Sequence, residues 1–271
     1  MQQKYKEEKE QNNPETMSSS SSPPDLLRAA IAPCTLFAFD LDDTLHAFRA
    51  ASSAAAAAVF AEIVRRNPGA VEAPALRARY ADILKRSTAN AFADGRSSDE
   101  YRKERFAALL SASGLGGGGG GDEGVLDELA RVYKEALRGA LTLKPGAKEC
   151  LEAVKARDGR RAIVVTEGPR DAQEWTVREL GLEGCVERVV TTGEVRRGKV
   201  EEGFWREVLG RVGEGVRPQE VVMVGDSWDR DVEPARVAGC VVVWFCEGGW
   251  EGEGREGVLR VDDLNRLREA V

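Results

Sequence analysis

The chain has 271 residues, 42% of them hydrophobic and 31% charged, enough to bury one large domain or two smaller ones. A formal charge of −7 with no basic tract excludes nucleic-acid binding by phosphate neutralisation, and no apolar run reaches the length of a membrane span. The single histidine, His46, excludes a two-histidine phosphatase. No Gly-x-Ser-x-Gly elbow, no Cys-x-x-Cys and no cysteine followed six positions later by arginine occurs, so any chemistry falls to carboxylates, lysine and hydroxyls.

Residues 1–33 are mostly polar, with Ser18 to Ser22 running into Pro23-Pro24, and read as a disordered tail. The N-terminus lacks an apolar signal core, so secretion is not expected. Five cysteines (Cys34, Cys150, Cys185, Cys240 and Cys246) are scattered beside apolar residues. They read as reduced core thiols of a cytoplasmic protein.

Leu36 to Phe39 is an uninterrupted apolar run that fits a buried parallel strand. It is followed at once by Asp40, Asp42, Asp43 and Thr44, an odd place for charge because burying a lone carboxylate is costly. Next comes an alanine-rich helical run from Ala50 to Ile63, closed by Asn67-Pro68-Gly69. Helical spacing continues through Leu76 to Leu84, Tyr101 to Leu110 and Val125 to Ala140, interrupted by the glycine run Gly116 to Gly121. A Gly-x-Gly-x-x-Gly match inside polyglycine is trivial, and that run reads as a flexible loop. Residues 46–143 thus form an all-helical insertion, with His46 at the hinge into it.

From Pro145 the pattern alternates. Helix 146–157, strand 162–165, helix 170–180, strand 189–190, helix 201–212, strand 221–224, a short helix near 233–238 and strand 241–245 follow in turn. A strand near Val258 and a helix from Asp262 close the chain. The expected fold is α/β: a Rossmann-like parallel sheet with helices on both faces, built from residues 34–45 and 144–271, plus the helical insertion 46–143. Gly248-Gly249-Trp250 reads as a turn after the last central strand.

Several strands end in polar residues: Asp40, Asp42 and Thr44; then Thr166-Glu167-Gly168; then Gly225-Asp226-Ser227-Trp228-Asp229-Arg230-Asp231. Ligands of open parallel sheets bind beyond the carboxyl ends of strands, so these tips should converge, with Lys199 in the adjacent crossover. Gly193-x4-Gly198-Lys199 approaches a nucleotide-binding loop. It is rejected because Val200 stands where the magnesium-ligating hydroxyl belongs and Glu194, Arg196 and Arg197 fill the loop. Trp228 reads equally as substrate wall or as ordinary packing.

The ordered set Asp-x-Asp-x-Thr, Thr, Lys and Gly-Asp-x4-Asp resembles the haloacid dehalogenase (HAD) superfamily, with the insertion similar to its small helical cap. That resemblance, over roughly residues 35 to 250, implies a Mg²⁺-dependent phosphatase acting on a small phosphorylated metabolite through an aspartyl-phosphate. It implies Asp40 as nucleophile, Asp42 as general acid and base, and Thr166 and Lys199 as phosphate contacts. It further implies Asp40, Asp42 and Asp226 at the metal, with Thr44, Glu167 and Asp231 in support. Departures from the pattern are Gly198-Lys199-Val200, where relatives have Gly-x-Lys-Pro and where Arg196 or Arg197 could compete, and Glu167, where many relatives have Asn or Asp. Relatives that cleave carbon–halogen bonds lack the second Asp, because a halide leaves without a proton. The alternatives are a 2-haloacid dehalogenase, an aspartate-phosphorylated receiver, which has no cap and half this length, and a non-catalytic scaffold.

Overall fold

A computed structural model describes residues 22–88, 90–115, 122–213, 215–247 and 258–271. The tail up to residue 21, the glycine loop 116–121 and the expected turn 248–250 lie outside the described residues.

Six parallel strands form one sheet: β1 (Leu36–Phe39), β2 (Arg161–Thr166), β3 (Arg188–Thr191), β4 (Val221–Gly225), β5 (Val241–Phe245) and β6 (Leu259–Val261). Their spatial order is β3-β2-β1-β4-β5-β6, with β1 paired to β2 (Leu36 with Arg161) and to β4 (Leu36 with Val221). The chain therefore builds outward from β1 on one side and restarts at β4 on the other. That reversal opens a crevice at the β1 and β4 tips, where open α/β sheets take their ligands.

Side chains alternate across the strands. Phe37 and Phe39 of β1 face a core layer shared with Leu27 and Ile31 of α1 (Pro24–Ile31), Leu151 of α6 (Ala147–Lys155), Val177 of α7 (Arg170–Glu179) and Leu264 of α11 (Leu264–Ala270). Leu36 and Ala38 face a second layer against Phe204, Trp205 and Val208 of α9 (Phe204–Val212) and Ala235 of α10 (Glu233–Val237). All four β1 residues are fully buried because both faces are covered, which is why the strand reads as an unbroken apolar run.

The tail reading fails where it reaches the core. Residues 24–31 form α1, and Leu27 and Ile31, one turn apart, are both buried. Pro23-Pro24 reads as part of the tail, yet proline is at home in a first helical turn, where its missing N–H costs nothing. Two further elements were not expected. A single turn, α8 (Thr192–Val195), follows β3, and a π-helical turn spans Trp228–Val232. Helix α9 begins three residues later than its sequence pattern suggests, after Gly203 in the left-handed conformation (φ 85°), and Lys199 lies in the loop before it, as expected.

Four helices fill the insertion: α2 (Phe48–Arg66), α3 (Ala73–Ser87), α4 (Ser98–Ala112) and α5 (Glu123–Ala140). They enclose a core of their own, including Val59, Phe60, Leu76, Tyr80, Phe106 and Leu129. Ser97 and Glu100 make a reciprocal capping box at α4, and Asp122 caps α5 by accepting from the Gly124 N–H at 3.0 Å. The two chain crossings into this block pair with each other: Ala47 N–H donates to the Thr142 carbonyl at 2.9 Å, and Lys144 N–H to the Leu45 carbonyl at 2.9 Å. No helix among the described residues is long and apolar enough to cross a membrane.

Candidate active site

Asp40 is the first residue beyond β1, and its N–H donates to the Val224 carbonyl at 2.8 Å, so its position is fixed by the sheet ladder. Only 5% of the residue is exposed. Its carboxylate is held from two sides. Lys199 Nζ donates to Oδ1 at 2.6 Å, and the Thr44 hydroxyl donates to Oδ2 at 3.2 Å. The same hydroxyl accepts from the Asp226 N–H at 3.0 Å, so one oxygen ties the β1 tip to the β4 tip.

Lys199 is 2% exposed and lies between two carboxylates, with Asp231 Oδ1 also at 2.6 Å. Burial is the largest single influence on its ammonium and opposes the charge. Asp231 and Asp40 together outweigh it and hold the lysine protonated above its ordinary range. For Asp40 burial dominates and raises the carboxyl well above its usual value, with Lys199 pulling the other way. Burial, reinforced by Asp231, likewise raises Asp226. Arg196 and Arg197 do not compete for the lysine's place. Arg196 reaches the Asp94 carbonyl and Arg197 the Glu202 carbonyl.

Asp231 reaches the site through the π-helical turn, in which the Ser227 carbonyl accepts from both Asp231 N–H and Val232 N–H. Its Oδ2 accepts from Ser227 N–H at 3.0 Å. Gly225 makes room for it: a Cβ there would lie 2.4 Å from the Asp231 Cβ. One carboxylate oxygen from each of Asp40, Asp226 and Asp231 lies within 4.8 Å of the others. This differs from the expected set of Asp40, Asp42 and Asp226, because the Asp42 carboxylate turns elsewhere. His46 Nε2 lies 2.9 Å from its Oδ1, and Gln173 Nε2 donates to its Oδ2 at 3.4 Å.

Thr166 ends β2 fully buried, and its hydroxyl has no hydrogen-bond partner among the described residues while lining the same cavity as Asp40 and Lys199. Beyond it, Gly168 N–H donates to Thr192 Oγ1 at 3.0 Å, and Gln173 donates to the Glu167 carbonyl at 3.2 Å, fixing the loop. The Glu167 side chain accepts from Arg230 at 3.4 Å. All eight site residues expected from the sequence, except Thr44, line one cavity of about 830 Å³ between the strand tips and the helical insertion. Trp228 does not line it and packs edge-on against Trp244 at 5.2 Å.

Sequence reasoning did not find Arg49, which bonds Asp43 and Asp226 from α2, nor the part played by Asp43. Asp43 adopts the left-handed conformation (φ 64°) and accepts from Arg49 N–H at 3.1 Å, capping α2 where Ala47 offers no side-chain cap. The left-handed turn could have been suspected, since Asp tolerates it better than most residues. The arginine carried no local signal.

The chain is 34% identical over 151 residues to a phosphoserine phosphatase from Thermus thermophilus, a match spanning 54% of this chain and 59% of that protein. The chain thus spans little more than half the length of that curated relative. Its fold is that of a 2-haloacid dehalogenase from Pseudomonas syringae pv. Tomato (TM-score 0.65, 23% identity, 88% of this chain and 97% of that one). It is equally that of a HAD phosphatase from Thermococcus onnurineus (TM-score 0.62, 24% identity, 87% and 96%). The family profile of haloacid dehalogenase-like hydrolases matches residues 34–239, a span that contains the whole site, and the chain belongs to that family.

Proposed function

We propose that the protein is a Mg²⁺-dependent phosphatase of a small phosphorylated metabolite, working in the cytoplasm with Asp40 as nucleophile. The observation that carries this reading is the pair Asp40 and Asp42. Two residues apart, they sit in different environments: one buried against Lys199 beside Asp226 and Asp231, the other held apart by His46 and Gln173. Two carboxylates so separated suit two roles.

The donor set fits a hard divalent cation, which takes carboxylate oxygens, with Asp40 and Asp226 as ligands and Asp231 beside them. When bound, Mg²⁺ would offset the negative charge that accumulates as a carboxylate approaches a phosphate. The chain's own groups do the rest. Lys199 and the unpartnered Thr166 hydroxyl receive the phosphoryl oxygens. Asp40 attacks phosphorus, forming an aspartyl-phosphate as the ester P–O bond breaks, and Asp42 gives its proton to the departing alkoxide. Asp42 then takes a proton from the water that attacks the acyl-phosphate, releasing inorganic phosphate and restoring Asp40. The helices over the cavity keep bulk water out during these steps.

A halide would leave without a proton, so the held Asp42 supports phosphate-ester cleavage over dehalogenation. Phosphate release from p-nitrophenyl phosphate with Mg²⁺ is the test. Wild-type protein should turn over, and Asp40→Asn should lose at least a thousandfold. Unchanged turnover in that variant would overturn the reading.

A further inference from the structure

The far side of the cavity carries charge opposite to that of the acidic strand tips. All its lining carboxylates come from the tips: Asp40, Asp42, Asp43, Glu167, Asp226 and Asp231. The helices opposite contribute Arg77, Arg102 and Arg105 among aromatic walls and no carboxylate. Among the described residues none of these three arginines is ion-paired. Arg105 is anchored by donating from Nε to Ser87 Oγ at 2.8 Å, with its guanidinium 5.6 Å from the Phe92 ring centre and 5.5 Å from that of Tyr101. Its Nη2 is buried without any hydrogen-bond partner. Aromatic faces offset charge but accept nothing from an in-plane N–H. Burial, with Arg102 nearby, also weakens the hold of Arg105 on its proton. Arg102 stacks on Tyr133 at 5.4 Å. A half-buried cation whose buried Nη2 has an unused donor is costly unless something anionic arrives.

We infer that the substrate carries a second anionic group, a carboxylate or a second phosphate, which Arg105 and Arg102 receive while the phosphoryl group to be cleaved sits at the strand tips. This rests on the phosphatase reading for the first anion only. A cavity of about 830 Å³ accommodates a molecule with an anionic group at each end and an apolar middle against Phe60 and Tyr80. The bidentate donors of arginine suit either anion.

The test is calorimetric binding of non-hydrolysable analogues to the wild-type protein with Mg²⁺: benzylphosphonate, 4-carboxybenzylphosphonate and the corresponding para-bisphosphonate. At least one of the two compounds with a second anionic group should bind tenfold or more tighter than benzylphosphonate, and which one does so identifies the second anion. In Arg105→Gln the advantage should fall below threefold. If that variant fails to fold by circular dichroism, Arg102→Gln should show the same loss. Equal affinities in the wild type, or no binding by either compound with a second anionic group, would overturn the inference. Binding is read without turnover, so a protein that prefers the second anion yet leaves p-nitrophenyl phosphate intact would sink the phosphatase reading and leave this one standing.

Discussion

His46 is fully buried, yet a ring nitrogen lies within hydrogen-bond reach of the Asp42 carboxylate, and the residue also bridges to Leu143 at the chain crossing. With Asp42 ionised, Nε2 must carry the proton, and the carboxylate is oriented by it. A hydrogen bond to a charged group contributes about 1.5–3 kcal/mol, worth roughly ten- to a hundredfold in rate if it positions the ionised Asp42 that takes the proton from the attacking water. His46→Phe keeps the buried ring and removes the donor. It should lower kcat by that factor while KM changes less than threefold; a steady-state comparison showing kcat unchanged would make His46 a hinge residue only. Gly225 is as exacting. The Cβ of Gly225→Ala would stand 2.4 Å from Asp231 Cβ and 2.5 Å from its Cγ, pushing Asp231 away from Lys199. Overpacking of this kind costs about 1–3 kcal/mol. Urea unfolding should show a lowered midpoint, and any release of phosphate from p-nitrophenyl phosphate assayed with Mg²⁺ should fall; an unchanged midpoint and turnover would mean the turn has room to give.

Between elements, polar contacts hold the helical insertion against the sheet layers. At the start of α4, Ser98 N–H donates to Asp171 Oδ1 at 2.9 Å and its hydroxyl to Oδ2 at 2.6 Å, joining α4 to the first turn of α7. Arg138 of α5 bonds Glu179 at 2.8 Å beside Trp175. Asp171→Ala removes both Ser98 bonds and leaves the insertion's own core intact. Hydrogen exchange should quicken at the first amides of α4, with the amides of β1 and β4 unaffected. Exchange equal to wild type at Ser98 would show that the clasp does not hold the two layers together. These contacts explain what the sequence could not show. Strands β1, β2 and β4, each an apolar run ending in Asp or Thr, were legible because burial and chemistry are both written locally. Contacts such as Ser98 with Asp171, Arg49 with Asp226 and Arg105 with Ser87 join residues whose neighbours carry no common pattern. Only the fold brings them together. The π-helical turn was equally silent, since its five residues fit an ordinary loop, and Pro23-Pro24 concealed α1 because a proline pair punctuates linkers as readily as it starts helices.

Across the whole molecule, cysteine is confined to the sheet layers: all five lie outside residues 46–143, and none is in a disulfide. Cys34, Cys150, Cys185 and Cys240 are buried, while Cys246 is half-buried. Burial pushes the Cys150 and Cys240 thiols up to about 12, and raises Cys34 and Cys185 as well. The thiolate is the reactive form, so at pH 8 a thiol with a pKa near 12 is ionised about one part in ten thousand. Because all four are also shut away from solvent, their reaction with an aromatic disulfide reagent needs the sheet layers to open. The helical insertion has its own core and no cysteine, so its motion on the hinge should leave labelling unchanged. In native protein at pH 8, Cys246 should react first. The four buried thiols should follow together, at a rate that rises with urea in step with unfolding of the sheet layers. In Asp171→Ala protein, where only the clasp is lost, their labelling rate should match wild type. Early labelling of Cys150 or Cys240 in native protein, read by mass spectrometry of the tagged peptides, would mean that the sheet layers open well short of unfolding. The rigid platform required by Asp40, Asp226 and Lys199 would then be lost with them.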